Sequence, residues 1–407
     1  MRVIMHADLN SFFASAEQQT KPGLRGKPVG ILKAKGRTCL IAASDEAKKL
    51  GVKTGCNIYD AKRVCPQIIL IPADFSRYEM MTRQFIRLAN EFSDAVEVFS
   101  LDEVFLDITD IAWWFGGAVS LAKKLQARVR QELGEFIGCS VGIAENKLLA
   151  KMASGMAPRR GILVITPKNK AELLARAPFS EVCGIGRRLA EKLKSVGIVS
   201  LPQILTAADE LLLPLVGPYW TKELKRLARG EDNSSLIPLE NLPVAKSVSR
   251  SYTLFKDTRN PYEIKGLIRN LCEEAAWKLR RLGLASRQFG ISVRGEHYSR
   301  AGYHTAKSYT DDGREIFDRV FGLYQSWRWP YAVRFAGIWV SLLARQGSLP
   351  LPLFPEPRRR RALQAVDQLN GIYGEYTVYP AVMLYSKIIR PEINGYLGDK
   401  QFRFRSG

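Results

Sequence analysis

The chain has little histidine and little cysteine. His6, His297 and His304 are its only imidazoles, too few and too scattered for a zinc site. The six cysteines, at 39, 56, 65, 139, 183 and 272, form no C-x-x-C pair and no disulfide spacing. They read as reduced core residues of an intracellular, cytoplasmic protein. No apolar run approaches the ~18 residues of a membrane span, so no membrane partner is expected. The start, MRVIMHADLNSFF, reaches an acid by residue 8 and has no small-residue cleavage site, unlike a signal peptide. No internal repeat of solenoid period is present. Acids are also in deficit: 40 Asp and Glu against 61 Lys and Arg, a formal charge of +21. So large an excess predicts a polyanionic partner, because each basic contact to phosphate releases counterions.

What is present is ample apolar material, 46% of 407 residues. At about 100–200 residues per domain, two to four domains are expected. Arg2–Leu9 reads as a buried strand ending in Asp8, and Ser11–Gln19 as a helix with Ser11 as N-cap. Residues 20–72 are shorter and more broken, a small strand-and-helix insert. Phe75–Phe92 has helical period, Val96–Thr109 is strand with a turn, and Val119–Leu133 is an amphipathic helix. Cys139–Ala144 follows as a strand and Lys147–Met156 as a helix. That order suits an α+β sandwich with helices on one face of a mostly antiparallel sheet. Residues 167–235 look all-helical. Residues 244–345 return to mixed patterning, with SVSRSYTLF and FGISVRGEHY as half-buried strands, Tyr262–Leu282 as helix and AGIWVSLLA as a last strand. SLPLPLFPEPRRRR is a Pro-rich linker or peptide motif. A helix is expected at Ala362–Ile372, and residues after about 375 carry no assignable pattern.

VEVFSLDEVFLDIT (96–109) places Asp102 and Glu103 side by side in apolar strand material. Buried carboxylates are costly unless something positive meets them. Neighbours on an ideal strand face opposite ways, so the pair shares a site only if the chain bends, and Ser100 permits a turn. If the strand ending in Asp8 lies alongside, three acids converge. Mg²⁺, hard and oxygen-seeking, suits such a cluster, and two such ions can clamp an in-line phosphoryl displacement. The bland alternative is three acids exposed at strand ends.

HADLNSFFASAEQ, SLDEVFLDIT and GIAENKLLAKMASGMAPRRG, in that order and spacing, resemble a Y-family DNA polymerase of the DinB or polymerase IV group over residues 1–345. The resemblance implies an α+β multidomain right-hand polymerase. It would have a ferredoxin-like palm (1–17 and 74–166), small fingers (18–73), an all-helical thumb with a helix-hairpin-helix (167–235) and an α+β little finger (244–345). A tail (346–407) would follow. It implies low-fidelity translesion synthesis on primer–template DNA from dNTPs by a monomer. Asp8, Asp102 and Glu103, with the Leu9 carbonyl, become ligands of two Mg²⁺. Phe13 becomes the steric gate against a 2′-hydroxyl, Phe12 supports sugar and triphosphate, and Cys39 and Ile41 roof the nascent pair.

Three positions depart from the family pattern. Asp45 stands where an aromatic is usual, and Lys48 where Arg is frequent; Lys48 keeps the charge but loses the bidentate fork. The later triphosphate lysine, usually in K-P-x-G, is absent from PRRG, so Arg159 or Arg160 would act from a shifted position. VCGIGRRLAEKLKSVGI, with Gly184 and Gly186 entering a basic helix, resembles a sequence-independent phosphate clamp; LVGPYWTKELKRLARG would be a poorer second copy. AKSVSRSYTLF offers Lys246 and Arg250 among hydroxyls to a DNA backbone. Leu351, Leu353 and Phe354 resemble the bacterial sliding-clamp motif, with Pro350 where Gln is usual. The rival readings are a polymerase-like accessory protein with lost activity and a nucleotidyl cyclase sharing the palm.

Overall fold

The structure is a computed structural model; it describes residues 2–33, 37–349, 357–386, 388 and 389. Along the chain run β1 (Ile4–Leu9), α1 (Phe12–Thr20), β2 (Val29–Leu32), β3 (Leu40–Ala43), α2 (Asp45–Lys49), α3 (Ile58–Val64), β4 (Ile69–Pro72) and α4 (Phe75–Asn90). Then come β5 (Val96–Val98), β6 (Glu103–Asp107), α5 (Ala118–Leu133), β7 (Cys139–Ala144), α6 (Lys147–Met156) and β8 (Ile162–Val164). Four helices follow: α7 (Lys170–Arg176), α8 (Arg187–Ser195), α9 (Leu201–Thr206) and α10 (Asp209–Ala228). The last part holds β9 (Ser247–Thr258), α11 (Pro261–Arg281), β10 (Leu284–Arg294), β11 (Ser299–Thr310), α12 (Gly313–Ser326), β12 (Val333–Arg345) and α13 (Pro357–Tyr373).

Among the described residues the strands form three sheets, ordered β5-β6-β1-β7-β8, β3-β2-β4 and β11-β10-β12-β9. The first is antiparallel except for β7 and β8. Its central strand β1 is buried on both sides because its residues alternate between two cores. Met5, Ala7 and Leu9 join one core with α4 and α5. Ile4 joins another with α6 and the helices after it.

The expectation of helices on one face is therefore corrected: α6 lies across the other face, the one that carries His6 and Asp8. Gly142 of β7 permits this approach, since a Cβ there would collide with the Ala150 carbonyl and the Ser154 amide of α6. Asn146 caps α6 by accepting from Leu149 N (2.9 Å) and donates to the Gly230 carbonyl (2.9 Å), fastening the helix to the end of α10.

The insert at 20–72 is the small second sheet with α2 and α3, packed on its own core around Leu40, Ala47 and Ile68. α10 is broken at Gly217 (φ 81°, ψ 166°), beside Pro218. In the third sheet α11 and α12 cover one face. β11 and α12 fall in a stretch from which the sequence predicted no element. Asp257 of β9 pairs with Arg334 (2.9 Å) and with Arg37 before β3, tying the second sheet to the third. The described residues after 375, a stretch that carried no pattern, pack on α11: Ile389 N donates to Asn270 Oδ1 (2.6 Å).

Candidate active site

The acids meet as a consequence of strand register. β1 and β6 run antiparallel with Asp8 opposite Glu103. The chain reverses just before β6: Phe99 N (3.0 Å) and Ser100 N (3.2 Å) both donate to the Glu103 carbonyl, and Thr82 Oγ1 donates to the Leu101 carbonyl (2.7 Å). That turn breaks the strand alternation that would have put Asp102 and Glu103 on opposite faces. Leu9 N donates to the Asp102 carbonyl (2.9 Å), which ties the turn to the end of β1. The Leu9 side chain is in the core at 1% exposure, so only its main chain is available to the site.

The cluster is self-repelling. Burial, together with Asp102 and Glu103 beside it, raises Asp8 well above the ordinary carboxylate range. Burial and then Glu103 push Asp102 up to about 6, against opposing contributions from Ser100 and Lys151. Ser100 Oγ donates to Asp102 Oδ1 (2.5 Å). Lys151 Nζ lies 2.7 Å from both Glu103 oxygens and 4.8 Å from the Phe99 ring centre. Beneath them His6 is fully buried, its Nδ1 2.6 Å from Ser154 Oγ and its Nε2 3.9 Å from Glu103. Burial and then Lys151 lower the imidazole well below its usual value, so the ring is neutral. Lys151 and His6 were not singled out in the sequence. The run N-K-LL-AK-MAS contained Lys151, but the alternation of faces around Gly142 was needed to see it meet Glu103.

Among the described residues no three acidic, histidine or cysteine side chains already make a closed metal cage. Asp102 is turned to Ser100, and Glu103 to Lys151. The donors are nonetheless all oxygen, crowded with like charge and partly desolvated. That chemistry fits a hard divalent cation that takes one or two carboxylates and completes its shell from phosphates and water.

A cavity of about 270 Å³ opens beside Asp8, lined also by Asn10, Ser11, Asp45, Lys48, Ser140 and Arg159. Ser11 occupies the N-cap position of α1, but its hydroxyl caps nothing there; its backbone is left-handed (φ 49°). Its hydroxyl instead donates to Asp45 Oδ1 (2.8 Å) and accepts from Lys48 Nζ (2.8 Å). Arg159 forms an ion pair with Asp45. Arg160 points elsewhere: its guanidinium donates to the Glu135 carbonyl (2.6 Å) and its amide to Asn10 Oδ1 (3.1 Å). Of the two arginines, Arg159 is the one at the cavity.

Phe13 is half-buried and stacks on Tyr78 (centroids 4.5 Å, 21°), with Phe75 edge-on at 6.4 Å. Tyr78, fully buried, donates to Glu17 (3.0 Å) and so fixes the stack. Phe12 is 2% exposed and in the core, so its ring does not reach the cavity. Leu40 of β3 faces inward while exposed Cys39 and half-buried Ile41 face the other way. Ile185 is buried between exposed Gly184 (φ 106°) and exposed Gly186, the N-cap of α8. Lys246 is exposed before β9. Arg250 is a correction to the expectation of one basic binding face. Strand alternation turns it to the helix-covered side, where its Nε lies 3.3 Å from buried Glu274. Ser247, Ser249 and Ser251 occupy the open side. Leu351, Leu353 and Phe354 lie outside the described residues.

The chain belongs to the impB/mucB/samB family, the Y-family DNA polymerases: residues 7–155 match the family and residues 245–353 its C-terminal domain. A DNA polymerase IV of Pelotomaculum thermopropionicum is 34% identical over 391 residues, 94% of this chain and 95% of that protein. DNA polymerase IV 1 of Bacillus subtilis is 37% identical over 297 residues, 72% of this chain and 70% of its own. Among solved structures, a Y-family chimera of Dbh with a short Dpo4 segment has a TM-score of 0.72 at 26% identity, covering 84% of this chain and 98% of its own. DinB from Sulfolobus solfataricus gives 0.55 at 26%, covering 83% of this chain and 98% of that one.

Proposed function

We propose that the chain performs template-directed DNA synthesis across damaged positions, by attack of a primer 3′-hydroxyl on the α-phosphorus of a dNTP with pyrophosphate as leaving group. Residues 1–17 and 74–166 act as palm, 18–73 as fingers, 167–235 as thumb and 244–345 as little finger. Asp8, Asp102, Glu103 and the Leu9 carbonyl are the groups that would hold two Mg²⁺. When bound, the cations supply positive charge to the transferring phosphoryl group.

The chain's own residues do the rest. Lys151 orients Glu103 and offsets part of the acid charge. Lys48 and Arg159 receive the triphosphate in the cavity beside Asp8. Phe13, held by Tyr78, fills the space a 2′-hydroxyl would need. Gly184, Gly186 and Lys246 contact the DNA backbone, and no residue noted here reads base edges. The segment holding Leu351, Leu353 and Phe354 binds the sliding clamp.

The observation that carries this reading is the juxtaposition of three acids with a cationic cavity at one end of the first sheet. Primer extension with Mg²⁺ and dNTPs tests it, beside the Asp102→Ala/Glu103→Ala variant. Extension by wild type and none by the variant is expected. Equal failure of both, with primer–template still bound, favours the accessory-protein reading that the altered Asp45 and Arg159 positions raise.

A further inference from the structure

The two most unusual residues of the nucleotide cavity face each other. Asp45 opens α2 on the finger side, and Arg159 lies in the loop between α6 and β8 on the palm side. The two pair across the cavity. Asp45 is also held by the Ser11 hydroxyl (2.8 Å), which in turn accepts from Lys48 Nζ (2.8 Å). One carboxylate thus organises both cations of the cavity, Arg159 directly and Lys48 through Ser11. Ser11 is presented to them by its left-handed backbone at the end of β1. The pair is only partly covered: the Asp45 side chain is 20% exposed and that of Arg159 41%. A partner arriving from solvent can therefore compete for the guanidinium.

We propose that Asp45 is a positioning residue that acts as an internal stand-in for phosphate. Without nucleotide it occupies Arg159, keeping the guanidinium aimed into the cavity. When a triphosphate enters, Arg159 exchanges the Asp45 carboxylate for phosphate oxygens, while Ser11 keeps Asp45. The planar guanidinium suits this exchange, because carboxylate and phosphate both accept its donor fork. The exchange carries a cost in affinity. A partly exposed ion pair favours the paired state by up to about fivefold, so the nucleotide-ready state with Arg159 free is populated to roughly one part in six. Apparent affinity falls by that fraction. The chain would bind dNTPs more weakly than the same cavity without Asp45, and more so at low salt, where the pair is least screened.

The inference rests on the cavity being the triphosphate subsite, and the experiment separates the two. Equilibrium binding of a dNTP is measured on full-length protein with a 3′-dideoxy primer–template in Ca²⁺, alongside steady-state KM and kcat in Mg²⁺. Asp45→Asn keeps the acceptor for Ser11 and removes the charge. About fivefold tighter dNTP binding is expected, read in KM rather than kcat, and the gain should vanish in an Arg159→Gln background. Unchanged or weaker binding in Asp45→Asn overturns the proposal. So does tightening that persists without Arg159, since Asp45 would then act by general repulsion. If wild type binds no dNTP at all, the subsite reading fails and the inference with it. If wild type binds and Asp45→Asn gains nothing, the inference alone fails.

Discussion

Two charged residues on strands, Glu103 on β6 and Arg250 on β9, each meet an opposite charge, and they differ in what surrounds the pair. Arg250 meets Glu274 on the helix-covered side of its sheet, with side-chain exposures of 12% and 4%. Glu103 meets Lys151, but Asp8 and Asp102 stand beside it. A balanced pair is complete as it stands. Three acids against one lysine leave charge unmatched, which adds to burial in raising Asp8 and Asp102. Unmatched charge of one sign, held by register and open to a cavity, marks a place for a ligand. Matched charge under a helix marks architecture.

The comparison breaks most sharply by mutation. Asp102→Ala/Glu103→Ala should lower primer-extension kcat/KM by about 10³-fold or more, the size of losing charge stabilisation at a transferring group, with primer–template affinity kept. Loss under tenfold would undo the assignment. The converse holds for the balanced pair. Glu274→Ala takes this partner from the largely covered Arg250, at about 3 kcal/mol. A lower urea midpoint for the 244–345 region should report it, while an unchanged midpoint would show that the pair is dispensable.

A third test uses pH. Asp102 has a folded value of about 6, above its unfolded one, so between the two the folded state binds more protons. Its contribution to stability is present below the unfolded value and is lost as pH rises through about 6. In EDTA, wild type should gain on Asp102→Asn from pH 7.5 to pH 5.5, and the difference between the two melting curves should narrow. A constant difference would contradict the shift. A fourth test is at the gate. Phe13→Ala should narrow the preference for dNTP over rNTP by at least tenfold in single-nucleotide insertion, and unchanged sugar choice would remove Phe13 from that role.

Much of this was legible in the chain itself. Cys139–Ala144 and Lys147–Met156 match their elements because the first is a short run broken only by Ser140 and buried throughout, and the second has a clear cap in Asn146. The turn before Glu103 was readable from Ser100. β11 was not, because SRAGYHTAKSYT is an edge strand with few buried side chains and no apolar alternation to announce it. The face taken by α6 depended on a glycine in another strand, and the Lys151–Glu103 contact on that face. Arg250 was misplaced because a residue type says that charge needs a partner, and only strand parity says on which side. Arg159 rather than Arg160 was decided by a loop backbone that no spacing rule describes.

Divalent-cation binding tests the central claim most directly. Mn²⁺ can be titrated, with electron paramagnetic resonance as readout, into protein with a 3′-dideoxy primer–template and matching dNTP. Wild type should bind two ions per complex, and Asp102→Asn should lose at least one while still binding DNA. Equal ion counts in the two proteins would contradict the claim that these acids hold the metal.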